Sequence, residues 1–256
     1  MKKVGRFIKL TLGVAFAVSG GIGGLVAQQQ ASAATVPQTR VIIGDDDRVQ
    51  IMDTTVSPYQ SIGYILANGH ISTGTVIGKN TVVTAGHVGN SIGEEPSQDI
   101  DEVYFAPGRN DEEYPFGKFK IKAMYQLPDY IDNPGAESDL AVLILDTNEA
   151  GESVGDLVTP MSIKVTGDIA IGTPLTTTGY PGDRVYGTMW TNSGQVVKQT
   201  DSLIYYDMDT AGGQSGSPVY NDQNQMVAVH GGGTQTANLG VKLNAENYQF
   251  ILDHLQ

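Results

Sequence analysis

The chain has 256 residues, of which 40% are hydrophobic and none is cysteine, so it can bury a core but has no disulfide framework. Acidic residues outnumber basic ones by 28 to 15, and the formal net charge of -13 argues against a nucleic-acid partner held by phosphate neutralisation. The lack of cysteine also excludes a thiolate zinc site and a cysteine nucleophile, so any catalysis must rely on oxygen and imidazole groups.

The start of the chain has the order of a secretory leader. Basic residues come first, an apolar stretch runs from Leu10 to Val26, and small residues occupy positions 31–34. We predict a signal peptide over residues 1–33 and a short propeptide over residues 34–40. A membrane-spanning helix is the alternative, but the glycine density and the Ala-Ser-Ala pattern favour cleavage. We therefore expect a secreted protein with no membrane partner after signal cleavage, and the absence of cysteine is typical of a Gram-positive source.

The junction at Arg40 is followed by the apolar run 41–44. A basic residue at this place suits trimming by an activating protease that cuts after Arg40, which would give a mature chain of residues 41–256. The alternative is an ordinary linker that leads into a strand. Both interpretations remain open from the junction alone.

Past Val41 the chain is a series of short strands and turns. Runs rich in β-branched and aromatic residues alternate with Gly, Pro, Asn and Asp, as in β-barrels or sandwiches. These runs predict strands at Ser61–Leu66, Ser72–Ile77, Thr81–Thr84, Glu102–Ala106, Phe119–Leu127, Leu140–Leu145, Pro174–Tyr180, Gln195–Gln199, Leu203–Met208, Met226–His230 and Leu239–Leu243. Asn244 can cap a helix over residues 245–255, where apolar residues follow helical spacing. The acidic clusters at 45–47 and 94–102 lack the spacing of a calcium loop, so we predict no metal and no cofactor.

Three short stretches carry candidate catalytic residues. His87 follows an apolar strand, and Asp139 precedes one, where a part-buried carboxylate needs a partner such as an imidazole N–H. Ser215 lies between glycines, as backbone N–H groups that approach a substrate require. Taken singly, the three are also consistent with a core histidine, a turn acid and a plain loop. In the order His, Asp, Ser they predict that Ser215 attacks a carbonyl, that His87 transfers the proton and that Asp139 orients the imidazole. The N–H groups of Gly213 and Ser215 would then form the oxyanion hole.

Further motifs accompany these three stretches. They are Val41-Ile42, Asp47-Arg48, Pro107-Gly108-Arg109-Asn110, Gly179-Tyr180-Pro181-Gly182-Asp183, Thr188-Met189-Trp190 and Met208-Asp209-Thr210. With them the sequence resembles the chymotrypsin-like serine proteases, and among these the glutamyl endopeptidases of the staphylococcal V8 and Bacillus type. The resemblance covers nearly the whole mature chain. It implies the all-β, trypsin-like fold of two six-stranded antiparallel β-barrels, at about residues 41–150 and 155–243, with a C-terminal α-helix and a cleft between the barrels. We expect a monomer.

The resemblance also implies the specificity of the site. In the glutamyl endopeptidases, residues that match His230, Thr210 and the α-amino group of Val41 bind a carboxylate. The expected substrates are thus proteins or peptides with Glu, or Asp, before the scissile bond. The alternative for His230 is a strand histidine paired to a neighbour.

Asp209 supports a different specificity. It lies six residues before Ser215, the spacing at which trypsin-like enzymes carry the acid that binds Lys or Arg. However, Gln214 replaces the aspartate that pairs the new N-terminus in those enzymes, so an amine at Val41 remains free for the pocket and cleavage after Arg40 becomes an activation step. We therefore interpret Asp209 as structural. A narrow specificity like that of the exfoliative toxins, or a catalytically weak secreted adhesin on the same fold, is the remaining alternative.

Overall fold

The structure is a computed structural model that describes residues 42–256. The predicted signal peptide (1–33), the propeptide (34–40) and Val41 lie outside the described residues. The described part forms fourteen strands, which are β1 (Val49–Gln50), β2 (Ile62–Ala67), β3 (His70–Val76), β4 (Thr81–Thr84), β5 (Val103–Pro107), β6 (Ile121–Gln126), β7 (Ala141–Leu145), β8 (Ser162–Ile163), β9 (Pro174–Gly179), β10 (Trp190–Gln199), β11 (Leu203–Tyr206), β12 (Pro218–Tyr220), β13 (Gln225–Gly233) and β14 (Asn238–Lys242). It also forms the helices α1 (Gly86–Ile92), α2 (Pro128–Asp132), α3 (Val154–Leu157) and α4 (Ala245–Asp253). No helix within residues 42–256 is long and apolar enough to cross a membrane.

Six antiparallel strands form the first barrel, in the order β5-β2-β3-β4-β7-β6. The two edges of this sheet meet where Phe105 and Phe119 exchange backbone hydrogen bonds of 2.9 and 2.8 Å. Strand β7 has the sequence Ala-Val-Leu-Ile-Leu and is buried at every position, because such an apolar run has no polar face to turn to solvent. The sheet therefore curls around an apolar core, which also includes residues from later in the chain such as Tyr180, Met189 and Val229.

The second barrel is a closed ring of β9, β10, β11, β14, β13 and β12, in which both β10 and β12 pair with β9. The short β1 adds to β10, and β8 adds to β13. These two sheets confirm the predicted all-β fold of two six-stranded barrels. Every predicted strand overlaps an observed one, whereas β1, β8 and β12 were not predicted because two or three residues are too few to show a pattern.

The N-terminal end of the described chain joins the second barrel, although residues 41–150 were expected to form the first. Val49 and Gln50 pair with Thr191 and Trp190 of β10. Upstream, Arg48 is buried and forms ion pairs of 2.8 Å with Asp46 and with Asp183 in the loop between β9 and β10. Hydrogen bonds and charge from Arg48 lower the pKa of Asp46 to about 2, because they outweigh partial burial, which raises it. The segment therefore packs on the second barrel, although the first barrel comes directly after it in the sequence.

The C-terminal end does the reverse. The side chain of Asn244 accepts a hydrogen bond of 2.9 Å from the backbone of Asn247, which satisfies a free N–H at the start of α4 as the sequence predicts. After α4, the backbone N–H of Gln256 donates to Thr81 Oγ1 at 2.8 Å, and its carbonyl accepts from Asn80 at 3.2 Å. The last residues thus attach to the turn before β4, in the first barrel.

Candidate active site

His87 and Asp139 form a doubly bonded pair in the first barrel. His87 lies in the first turn of α1, directly after β4, and Asp139 lies just before β7. His87 Nδ1 lies 2.8 Å from Asp139 Oδ2, and the His87 backbone N–H donates to Oδ1 at 2.7 Å. Asp139 is 4% exposed, while the side chain of His87 is 36% exposed. The carboxylate therefore fixes both the ring and its main chain, and Nε2 is left on the side away from Asp139.

The electrostatics of the pair favour a proton on His87. Burial alone lowers the pKa of this imidazole, but the hydrogen bond and the negative charge of Asp139 outweigh it, so the pKa lies above its ordinary value of 6.5. A carboxylate that raises the basicity of an imidazole in this way stabilises the imidazolium that forms when the ring accepts a proton. The pair is suited to general base chemistry.

Two glycines let other parts of the chain approach the carboxylate closely. A Cβ on Gly86 would lie 3.0 Å from Asp139 Oδ1, and a Cβ on Gly231 would lie 2.8 Å from Oδ2. Gly231 follows His230 on β13, in the second barrel. Asp139 is therefore enclosed by both barrels, which keeps water from its oxygens.

The segment that we call the serine loop comprises residues 211–217 and leads into β12. Four consecutive carbonyls of this loop each accept a hydrogen bond from a backbone N–H or a hydroxyl group. The bonds are Gly182 N to Gly212 O (2.6 Å), Thr73 Oγ1 to Gly213 O (2.9 Å), Ser217 N to Gln214 O (2.9 Å) and Thr73 N to Ser215 O (2.9 Å). Within residues 42–256, the N–H groups of Gly213 and Ser215 donate no hydrogen bond. Two backbone donors next to a serine are therefore available to a bound group, as an oxyanion hole requires.

Backbone conformation explains the glycines of the loop. Gly213 has φ +98 and Gly216 has φ +84, a region that other residues rarely adopt. A Cβ on Gly213 would collide with the carbonyl oxygen of Tyr180, and a Cβ on Gly216 would collide with the hydroxyl of Thr84. Gly216 thus sets the serine loop directly against the end of β4, the strand that leads into His87. This close contact places the loop that carries Ser215 beside the segment that leads into His87.

His230 lies beside the serine loop on β13 and is 2% exposed. Its carbonyl accepts a hydrogen bond from Gly216 N at 2.8 Å, and its N–H donates to the carbonyl of Ser217 at 2.9 Å. The main chain of His230 therefore holds the C-terminal half of the loop.

The side chain of His230 has a fixed partner. Its Nδ1 lies 2.7 Å from the hydroxyl of Tyr206, and that hydroxyl donates to the carbonyl of Leu239 at 3.0 Å. Because a hydroxyl carries one proton, Tyr206 accepts from Nδ1–H and the neutral ring has a free Nε2. Burial, and then the charge of His87, lower the pKa of His230 from 6.5 to about 3. The imidazole is therefore neutral near pH 7.

The segment before the serine loop shows how Asp209 is used. Its two carboxylate oxygens accept backbone hydrogen bonds from Ile43 at 2.7 Å and from Asp47 at 3.0 Å, and the residue is 3% exposed. The next residue, Thr210, is also buried, at 1%. The buried side chain of Gln214 accepts from Ala211 N at 2.9 Å and so closes the turn of the loop.

The structure brings His87, Asp139, Gly213, Ser215 and His230 to one junction of the two barrels, with Thr210 buried on the segment that enters the serine loop. Val41 lies outside the described residues. Within the described ranges, no three His, Asp or Glu side chains converge as a metal site would require.

Two residues with polar contacts in the site were missed by the sequence analysis. Tyr206 lies in a strand that was read only for its apolar pattern, although a fully buried tyrosine needs a hydrogen-bond partner and so signals one. Thr73 gave no such signal, because its partner Gly213 is 140 residues away.

Comparisons with known proteins agree with this geometry. Residues 72–229 match the trypsin-like peptidase domain. A glutamyl endopeptidase of Staphylococcus epidermidis is 35% identical over 221 residues, which cover 84% of this chain and 74% of the relative. A glutamyl endopeptidase of Staphylococcus aureus strain MRSA252 is 32% identical over 219 residues, which cover 84% of this chain and 58% of the relative.

Solved structures extend the comparison. The structure of a Glu endopeptidase in complex with MPD superposes with a TM-score of 0.74 and 32% identity, over 84% of this chain and 99% of that one. The protease Anisep from Arthrobacter nicotinovorans has a TM-score of 0.62 and 20% identity, over 79% of this chain and 96% of that one, which supports the fold alone. With a domain match over more than half of its length and relatives above 30% identity over most of the chain, this chain belongs to the trypsin-like peptidases, as a serine endopeptidase related to the staphylococcal glutamyl endopeptidases.

Proposed function

We propose that the protein is a secreted serine endopeptidase that cleaves peptide bonds after acidic residues, mainly glutamate, through an acyl-enzyme. The observation that carries the catalytic part is the pair of hydrogen bonds between His87 and Asp139, at 2.7 and 2.8 Å, beside a glycine-lined serine loop. The relatives named glutamyl endopeptidase support the specificity.

The proposed mechanism has two half-reactions, and in each of them His87 first takes a proton and then gives it back. Ser215 Oγ attacks the carbonyl carbon while His87 Nε2 takes its proton, and Asp139 stabilises the imidazolium. The carbonyl oxygen becomes an oxyanion and accepts hydrogen bonds from the N–H groups of Gly213 and Ser215. When the C–N bond breaks, His87 gives the proton to the leaving amine. Water then repeats the sequence on the acyl ester and releases the acid.

The proposed carboxylate pocket consists of His230, Thr210 and the α-amino group of Val41. The buried His230 is neutral near pH 7, because its pKa is lowered to about 3. Nε2 of this neutral ring carries no proton and cannot donate to a carboxylate, so a glutamate side chain in the pocket requires His230 to be protonated when the substrate binds. The amine of Val41 then supplies a second positive charge, and charge-assisted hydrogen bonds are worth about 1.5–3 kcal/mol. Cleavage after Arg40, which creates that amine, is then an activation step performed by another protease.

The competing specificity for Lys or Arg requires a free carboxylate at Asp209. Both oxygens of Asp209 already accept backbone hydrogen bonds from Ile43 and Asp47. Recruiting this carboxylate for a substrate would compete with these two part-buried hydrogen bonds, and a hydrogen bond to a charged group is worth about 1.5–3 kcal/mol. The contacts thus favour a structural role for Asp209 and an acidic specificity for the pocket.

The test is cleavage of a matched peptide set that differs only at the residue before the scissile bond, with Glu, Gln, Asp, Lys, Arg and Phe at that position. We expect Glu to exceed Gln by about 10- to 100-fold in kcat/KM, since Gln is isosteric but lacks the charge. Ser215→Ala removes the nucleophile and should abolish cleavage. Preference for Lys or Arg would reject the acidic pocket and assign specificity to Asp209.

Two histidine variants test whether the specificity pocket contains His230. His230→Gln should lower the Glu-to-Gln ratio, whereas His70→Gln, which changes an exposed histidine at the start of β3, should leave it unchanged. Labelling of Ser215 by a serine-directed phosphonate distinguishes an enzyme of narrow specificity from a binding protein. A protein that cleaves no peptide and takes up no label would refute the catalytic proposal.

A further inference from the structure

Thr73 makes an unusual set of contacts for a strand residue. It lies on β3 in the first barrel and is fully buried. Its hydroxyl donates to the carbonyl of Gly213 at 2.9 Å and accepts from Tyr180 N at 3.0 Å. Its backbone N–H donates to the carbonyl of Ser215 at 2.9 Å, and its carbonyl accepts from the hydroxyl of Thr84 at 2.7 Å. One residue thus binds two carbonyls of the serine loop across the junction of the barrels.

One of these contacts, together with a contact of Gly182, holds the peptide groups on both sides of Gly213. A peptide group is planar, with its carbonyl and N–H on opposite sides. The carbonyl of Gly212, which shares a peptide with the Gly213 N–H, is held by Gly182. The carbonyl of Gly213, which belongs to the next peptide, is held by Thr73. Gly213 is therefore fixed on both sides of its Cα, although its φ of +98 belongs to a residue with wide conformational freedom. Without the hydroxyl of Thr73, only one of these two anchors remains.

The same residue relates the serine loop to the general base. Thr84 is the last residue of β4, and its hydroxyl donates to the carbonyl of Thr73. Gly216 packs directly on Thr84 Oγ1 and on the carbonyl of Thr73. His87 follows three residues after Thr84. Thr73 is thus bonded to the loop that carries Ser215 and to the strand that leads to His87.

We propose that Thr73 is a positioning residue for catalysis. Its hydroxyl holds the peptide that follows Gly213, so that Gly213, anchored on both sides, keeps its N–H directed at the oxyanion, and its main chain fixes the serine loop relative to His87. The inference rests on the proposed roles of Ser215 and of the Gly213 N–H. It concerns the transition state and not substrate binding, because Thr73 is buried and lies behind the loop.

A neighbouring residue provides a matched control. Thr75 lies on the same strand and is equally buried, but its hydroxyl has no hydrogen-bond partner among the described residues. Thr73→Val and Thr75→Val make the same chemical change at positions two residues apart. Thr73→Ser keeps the hydroxyl and loses only a methyl group.

The experiment measures kcat and KM for the three variants, expressed from the full-length chain, on the best peptide of the matched set. We expect Thr73→Val to lower kcat by about 10- to 100-fold, which is below the loss caused by deleting an oxyanion donor outright, with KM changed less than about threefold. Thr73→Ser should recover most of kcat, and Thr75→Val should resemble the parent.

A second readout distinguishes positioning from a general loss of structure. A peptidyl trifluoromethyl ketone forms a hemiketal with Ser215, and carbon-13 NMR follows the ionisation of its oxygen. Since the same N–H groups stabilise this oxyanion, its pKa should rise by about one unit for each tenfold loss of kcat in Thr73→Val. A normal kcat in Thr73→Val, a loss that Thr75→Val shares, or a lower kcat with an unchanged adduct pKa would each overturn the inference. Residual cleavage by Ser215→Ala would instead reject the proposed function.

Discussion

The buried imidazole of His230 makes the protein lose stability in acid, in a way that one substitution removes. His230 is 2% exposed, and burial together with the charge of His87 lowers its pKa from 6.5 to about 3. The unfolded chain exposes this ring to water, where its pKa returns to the ordinary value. Between these two pKa values the unfolded chain binds a proton that the folded protein does not, so the free energy of unfolding falls as the pH falls.

The size of this loss follows from the two pKa values. One pKa unit corresponds to about 1.4 kcal/mol, and the interval from about pH 7 to about pH 4 spans roughly 2.3 units of the window, which gives a loss of about 3 kcal/mol from His230. His87 has the opposite sign. Because its pKa is raised above 6.5, its contribution is fully present below 6.5 and is lost only as the pH rises through the folded value.

The assay is urea unfolding monitored by the fluorescence of Trp190, in a Ser215→Ala background that prevents self-digestion. We expect His230→Gln to lose about 3 kcal/mol less than the parent between about pH 7 and about pH 4. His70→Gln, at an exposed position on β3, should follow the parent. If the stability of His230→Gln decreases in parallel with that of the parent, the imidazole is not buried in its neutral form and the reasoning fails.

Two further predictions concern catalysis. Asp139→Asn should lower kcat by about 10,000-fold. Because it also removes the contacts that raise the pKa of His87, the acid limb of the pH profile of kcat/KM should move to lower pH. An acid limb that does not move would contradict this account. Gly213→Ala should lower kcat by about 100-fold or more, since its Cβ meets the carbonyl of Tyr180 at φ +98. Gly117→Ala, at φ +80 with nothing within 4 Å, imposes similar strain elsewhere and should retain activity; equal losses in both would mean that backbone strain alone is responsible.

The features of the fold and site that the sequence predicts are those that depend on residues close together in the chain. The apolar strands, the Asn244 cap and the motifs around His87 and Ser215 each depend on neighbours within a few positions. The partners of these motifs do not. Thr73 meets Gly213 only because strands from two barrels adjoin, and the hydroxyl of Tyr206 reaches His230 across the second barrel. A strand of two residues such as β1 is too short to show a sequence pattern. Its position is set instead by contacts with β10 and, just before it, with Asp209.

Each end of the described chain is bound to the barrel that is more distant from it in the sequence. Residues 43–50 precede the first barrel but bind the second, through Asp209 and β10. Residue 256 follows the second barrel but is bonded to Asn80 and Thr81 of the first. Separating the barrels therefore breaks the contacts of both ends, which couples local opening to global unfolding. For a protease surrounded by copies of itself, such coupling removes the half-open state in which one barrel would be digested while the other stays folded.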